Sequence, residues 1–227
     1  MKDTVTINRE YLILCEGKRD KVVLETLLEG QLNGTYQVVP LDQLNETGGN
    51  SRWSHALLGL LGITGISKVS GLVVIADSED NPDQSFRQVH DAFANLASDP
   101  EESNQRFSIP HEPQRIYVDT DRVPVGVWMV PAPNRLGSME TLVVEGSLEV
   151  APDSIRTCVQ EFIDCSNLDA MTESNKDKCR VRALLIAYGK CETSFSRIWR
   201  ECSEQFSLAG LGPIKTFLES LVADTRG

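Results

Sequence analysis

Tyr11-Leu12-Ile13-Leu14-Cys15-Glu16-Gly17-Lys18-Arg19-Asp20 is a short apolar run that stops on charged residues. Gly71-Leu72-Val73-Val74-Ile75-Ala76-Asp77-Ser78-Glu79-Asp80 repeats the pattern. An apolar run of this length, without alternation, suits a strand covered on both faces of a parallel sheet. Ligands in such sheets collect at the carboxyl ends of the strands. The two acidic tips are therefore expected to meet in space, although they are far apart in the chain. Carboxylates that meet without basic partners repel each other, and a divalent cation is the usual remedy. The pair of stretches thus predicts an α/β fold with a metal site at its strand tips.

Outward from the first stretch, Val22, Val23, Leu24, Leu27 and Leu28 form a helical stripe. The pattern predicts a helix over Lys21 to Glu29, with Asp20 as its N-cap and Gly30 as its stop. Tyr36 to Leu41 reads as a second strand. Gly48-Gly49-Asn50-Ser51 is a turn, with Ser51 placed to cap a helix through Trp53, Ala56, Leu57, Leu60 and Leu61. Residues 71–76 make the third strand, and a helix is expected from Asp83 to Leu96 after Pro82. Residues 98–114, with Pro100, Pro110 and Pro113, read as an exposed loop. Arg115 to Val118 and Val125 to Val130 complete the strands. Ser138 to Val143 follows the loop Pro131 to Gly137 as a strand-to-helix turn. From Ala151 the pattern is helical, over about 152–165, 175–189, 194–206 and 213–223. Strands alternating with helices predict a mostly parallel central sheet flanked by helices. A division into an α/β domain at 1–148 and a helical C-terminal extension at 149–227 follows, the extension either packing on the sheet or capping the site.

The bulk composition limits the function. The chain has 227 residues, 41% of them hydrophobic and 24% charged, with a net charge of −11. That is ordinary for a soluble globular protein with a substantial core. A net acidic chain is a poor general binder of nucleic acid, because phosphate neutralisation needs Lys and Arg. None of the six cysteines forms a CxxC pair, and the three histidines show no metal-ligand spacing. With no secretory leader and no long apolar segment, the expectation is a reduced, cytoplasmic protein that does not enter the membrane.

A strand ending in Glu16-Gly17 with Asp20 beyond it, then a helix, a Gly-Gly turn and a later strand ending in Asp77, Glu79 and Asp80, resembles the Toprim domain. That domain is shared by topoisomerases, bacterial primases and the OLD (overcoming lysogenisation defect) nucleases. The segment from Val127 to Pro131, with Gly137-Ser138-Met139-Glu140, is similar to small stand-alone Toprim-like proteins related to the OLD nucleases, the DUF3226 group. The resemblance covers roughly residues 8–145. It implies a Toprim-like sheet and phosphodiester cleavage dependent on Mg²⁺ or Mn²⁺, with nucleic acid as substrate and a partner ATPase. By position, Glu16 takes the general acid/base or ligand role and Asp77 and Glu79 hold the metal, with Asp80 and Glu140 as further ligands. Glu79 departs from the usual Asp-x-Asp, since Glu reaches one methylene further.

The residues themselves leave other readings open. Asp77, Glu79, Asp80, Asp83 and Glu140 all sit where acids complement a helix dipole or cap free N–H groups. Lys176, Lys178, Arg180, Arg182 and Lys190 form the densest basic stretch. Lys178 and Arg182 are four apart and share a helical face. They read either as phosphate contacts facing the acids or as the ordinary charged side of an amphipathic helix. Lys215, after Gly212-Pro213, is a single further candidate. Trp53, Trp128 and Trp199 read as core rather than base-stacking residues. One alternative function is a Toprim-like module that binds metal, nucleotide or protein without chemistry. Another is a receiver-like or phosphatase-like protein with Asp77 as nucleophile, which lacks the expected DxDx(T/V) run.

Overall fold

The computed structural model describes residues 5–29, 32, 34–44, 52–98, 106–166, 168, 170–188 and 209–226. Its elements in chain order are β1 (Tyr11–Cys15), α1 (Lys18–Leu27), β2 (Tyr36–Pro40), the single turn α2 (Leu41–Leu44) and α3 (Arg52–Leu61). Then come β3 (Gly71–Asp77), α4 (Pro82–Ala97), β4 (Arg115–Tyr117) and β5 (Val125–Val130). The described chain ends with α5 (Met139–Val150), α6 (Asp153–Cys165), α7 (Glu173–Ala187) and α8 (Gly212–Arg226).

The five strands are ordered β2-β1-β3-β5-β4. Pairings β1 with β2, β1 with β3, and β3 with β5 are parallel, and only the short edge strand β4 runs antiparallel. The fold is α/β with a mostly parallel sheet, as the apolar runs predict. Alternate side chains of the central strands enter opposite layers. Tyr11, Ile13, Cys15, Val73 and Ile75 pack against Val23 and Leu24 of α1, Val143 of α5, Leu184 of α7 and Leu218 of α8. Leu12, Leu14, Leu72, Val74 and Ala76 pack against Trp53 and Leu57 of α3 and Val89 and Phe93 of α4. Both faces of β1 and β3 are therefore dry, which is why neither strand shows polar alternation. Gly126 of β5 is required by the tail: a Cβ there would lie 2.7 Å from the Phe217 ring of α8.

Several boundaries differ from the sequence expectation. Helix α1 begins at Lys18, not Lys21, and Gly17 is its N-cap rather than Asp20. Asp20 occupies the third helical position and reaches back to accept the Gly17 N–H at 2.8 Å, one half of a capping box. Helix α4 begins at Pro82, and Asn81 caps it by accepting the Gln84 N–H at 3.1 Å. Strand β4 stops at Tyr117, one residue short of the expected end. Gly30 as a stop, the Gly48 to Ser51 turn with its cap, the helix over 194–206 and Trp199 lie outside the described residues. Trp53 is a core residue, and Trp128 packs against Phe217 at a tilt, with ring centroids 5.1 Å apart.

Candidate metal centre

Because β1 leads outward to β2 while β3 lies on its other side, the chain reverses direction across the sheet between β1 and β3. A crevice at the carboxyl ends of strands opens at such a switch point. Glu16 follows the last residue of β1 and Asp77 ends β3, so both acids stand at its mouth. Carboxylate oxygens of Glu16, Asp77 and Glu79 lie within 4.8 Å of one another. They line an open pocket of about 400 Å³ with Gly17, Lys18, Arg19, Asp20, Arg52, Glu140 and Lys178.

Backbone groups aim each acid. The Asp77 N–H donates to Glu16 Oε1 at 3.2 Å. The Met139 N–H, in the first turn of α5, donates to Asp77 Oδ1 at 3.0 Å. A helix N-terminus thus faces the most enclosed carboxylate of the trio. Glu79 sits in the left-handed region at φ 48°, uncommon for a residue with a side chain. Reciprocal backbone hydrogen bonds to Gly137, at 2.8 and 2.9 Å, hold it there. The turn between them is fixed by Ser78, whose N–H donates to the Val130 carbonyl and whose hydroxyl donates to that of Ala132. Glu140 is buried, accepts the Ser138 hydroxyl at 3.0 Å and lies 3.6 Å from Arg19.

Five carboxylates (Glu16, Asp20, Asp77, Glu79 and Glu140) and four cations (Lys18, Arg19, Arg52 and Lys178) line this pocket. The acids do not meet without basic partners, as the sequence expectation had it. Arg52, from the start of α3, pairs with Glu16 Oε2 at 3.0 Å and also donates to the Glu16 carbonyl. Crowding still dominates. Burial, helped by the neighbouring carboxylates Glu16, Asp20, Glu140 and Glu79, pushes the Asp77 carboxyl well above its usual range. Burial also raises Glu16, against the opposing pull of Arg52. Asp20 is pushed up to about 7 by burial and then by Glu140. With only protein charges around them, these acids resist full ionisation. Hard oxygen donors in that condition suit a small divalent cation.

Of the residues singled out in the sequence, Glu16, Asp77, Glu79, Glu140 and Lys178 come together. Asp80 is exposed and does not line the pocket. Arg182 is exposed one turn beyond Lys178, and Lys215 is half-buried on α8; neither lines the pocket. Arg52 joins the site without having been singled out, and Asp20, read from the sequence as an N-cap within the first motif, joins it as well. Arg52 gives no local signal, since its partner is 36 residues away. Asp20 does give one, an acid one helical turn after Glu16, but capping offered the stronger account of it.

No helix among the described residues is long and apolar enough to cross a membrane. No curated protein and no solved structure matches the chain. A family model described as "Protein of unknown function (DUF3226)" matches residues 10–223, and the chain belongs to that family.

Proposed function

We propose that this protein is a Toprim-type, Mg²⁺- or Mn²⁺-dependent phosphodiester-cleaving protein related to the OLD nucleases, with Glu16, Asp77 and Glu79 holding the cation. The observation that carries the reading is the convergence of these three acids within 4.8 Å at the switch point between β1 and β3. The donor set fits a hard cation, because all three offer carboxylate oxygens and each is aimed by backbone or ion-pair contacts. A cation bound there would supply electrophilic polarisation of a phosphoryl group.

The chain's own residues supply the remainder. Lys178 lines the pocket and is close enough to favour the ionised form of Glu16. It makes no direct hydrogen bond or ion pair with another described residue, so its ammonium is available to an anion. A phosphate set between the acids and Lys178 would meet positive charge on both sides once the cation is bound. Glu140, held by Ser138 and 3.6 Å from Arg19, is a further ligand in the pocket lining. Where the cation rests on Asp77 and Glu79 alone, Glu16 is instead the group placed to exchange a proton with the reacting oxygen. Nucleic acid as substrate and an ATPase as partner belong to the same proposal.

Incubation of the protein with labelled single- and double-stranded DNA and RNA, with Mg²⁺ or Mn²⁺, tests this. Cleavage lost in EDTA and in E16Q supports the reading. Cleavage that persists in E16Q, or none with any substrate, counts against it.

A second reading is a binding module without turnover. It draws on Arg52, which already neutralises Glu16 directly, and on the net charge of −11. That reading gains if Mn²⁺ raises the melting temperature while no nucleic acid is cut.

A further inference from the structure

The tripeptide Ser138-Met139-Glu140 sends polar groups in three directions. The Met139 N–H goes to Asp77, and the Ser138 hydroxyl goes to Glu140. The Ser138 N–H turns away from the pocket and donates to Thr141 Oγ1 at 2.9 Å. Thr141 Oγ1 in turn donates to Asp177 Oδ2 at 2.5 Å, across to α7. The other Asp177 oxygen takes Arg180 at 2.5 Å, and Arg180 lies 3.6 Å from Glu173. Ser138, Thr141 and Asp177 are all buried. The residue after Asp177 is Lys178.

A buried carboxylate is expensive to hold, and an apolar contact would join two helices with less penalty. Directional bonds add to apolar packing a tie between two named atoms, which narrows the rotation and height that packing allows. The buried side of α7 carries Ser174, Val181, Leu184 and Leu185 beside Asp177. Each residue of slip along such a helix turns it by about 100°. A slip of one residue would replace Lys178 at the pocket by Asp177 or Cys179. Burial of Val181 and Leu184 sets which face of α7 turns inward, and the Thr141–Asp177 bond adds a directional tie one residue before Lys178.

We propose that Thr141 and Asp177 are positioning residues, a buried lock that sets the Lys178 ammonium over the acidic pocket from the same turn of α5 that aims Asp77. The inference rests on the proposed function, since it takes a phosphoryl group to be what Lys178 meets. It goes beyond it by making the start of α5 the common reference for the cation site and the anion contact. A Cβ on Gly137 would come within 2.3 Å of Thr141 Oγ1, so the glycine leaves room for the lock.

The full chain tests this by calorimetry in two steps, Mn²⁺ alone and then inorganic phosphate into the Mn²⁺-loaded protein. Wild type should take up Mn²⁺ and then phosphate. K178M should weaken phosphate about tenfold, the loss of one charge-assisted contact, and leave Mn²⁺ uptake in place. T141V should weaken phosphate about fivefold, and T141S should restore it. The deciding measurement is the double variant. If Thr141 acts through Lys178, T141V adds nothing in the K178M background. Equal losses in both backgrounds, or unchanged phosphate affinity in T141V, overturn the lock. Should T141V fail to fold, T141A, which also removes the hydroxyl that reaches Asp177, carries the same comparison. Mn²⁺ uptake without phosphate binding by wild type defeats this inference and leaves the metal site standing. No Mn²⁺ uptake at all removes both.

Discussion

Oε1 of Glu16 accepts the backbone N–H of Asp77 at 3.2 Å, so the carboxylate that ends one strand is fastened to the main chain that ends its neighbour. The second oxygen of Glu16 is held by Arg52. The glutamate is thereby fixed before any ligand arrives, and ligand affinity is not reduced by the entropy of ordering it.

The acids should respond to metal through stability. At Mn²⁺ a hundredfold above its Kd, the gain is about 2.7 kcal/mol, or roughly 5–10 °C in Tm for a chain of this size. D77N should abolish that response. In EDTA the same variant should lose less Tm than wild type as pH rises, because it removes a carboxyl whose charged form burial and its neighbours oppose. Scanning calorimetry reads both, and a wild-type Tm indifferent to Mn²⁺ would be the contrary result.

The pH dependence has a definite sign. Asp20, raised to about 7, and Glu16 and Asp77, raised in the same direction, bind more protons in the folded than in the unfolded state. Their contribution to stability is fully present below the ordinary carboxylate range and is lost as pH rises through each raised pKa, which for Asp20 is about 7. The metal-free protein should therefore lose Tm between pH 5 and pH 7.5, and saturating Mn²⁺ should flatten that slope. Mn²⁺ affinity should climb over the same interval as protons are displaced. Melting curves across this range, in EDTA and in Mn²⁺, provide the check.

Arg52 competes with a cation for Glu16. R52M should tighten Mn²⁺ binding several-fold by releasing Oε2 and removing a positive charge from the pocket. It should also lower metal-free stability, modestly, since the arginine is partly exposed. Calorimetric titration beside urea unfolding separates the two effects. Weaker Mn²⁺ binding in R52M would assign Arg52 to positioning the ligand rather than competing for it.

Gly137 adopts φ 127°, where an L side chain is strained, and a Cβ would strike Thr141 as well. G137A should cost about 1–3 kcal/mol in urea unfolding. It should disturb Glu79 too, whose backbone depends on the reciprocal Gly137 hydrogen bonds.

How much of this was readable beforehand depends on whether the cause was local. The runs ending at Cys15, Asp77 and Val130 carry their strands on their face, since burial on both sides leaves no polar positions to confuse the pattern. The meeting of Glu16 with Asp77 followed from sheet topology. The start of α1 was misplaced because Asp20 suits an N-cap and a third helical position equally well, and only the path of Gly17 decides between them. Lys178 was legible as a basic residue on a helix, but its arrival at the pocket depends on how α7 docks. Asp177 gave no signal: on paper it is one acid in a polar helix, and its partner is 36 residues back.

Glu79, held in its unusual conformation by Gly137, has a consequence for the neighbouring helix. The two hydrogen bonds join the tip of β3 to the residue just before the cap of α5, so neither end can shift alone. Any load that draws the Glu79 carboxylate inward is passed mechanically to the start of α5, and the pocket should tighten or loosen as one piece.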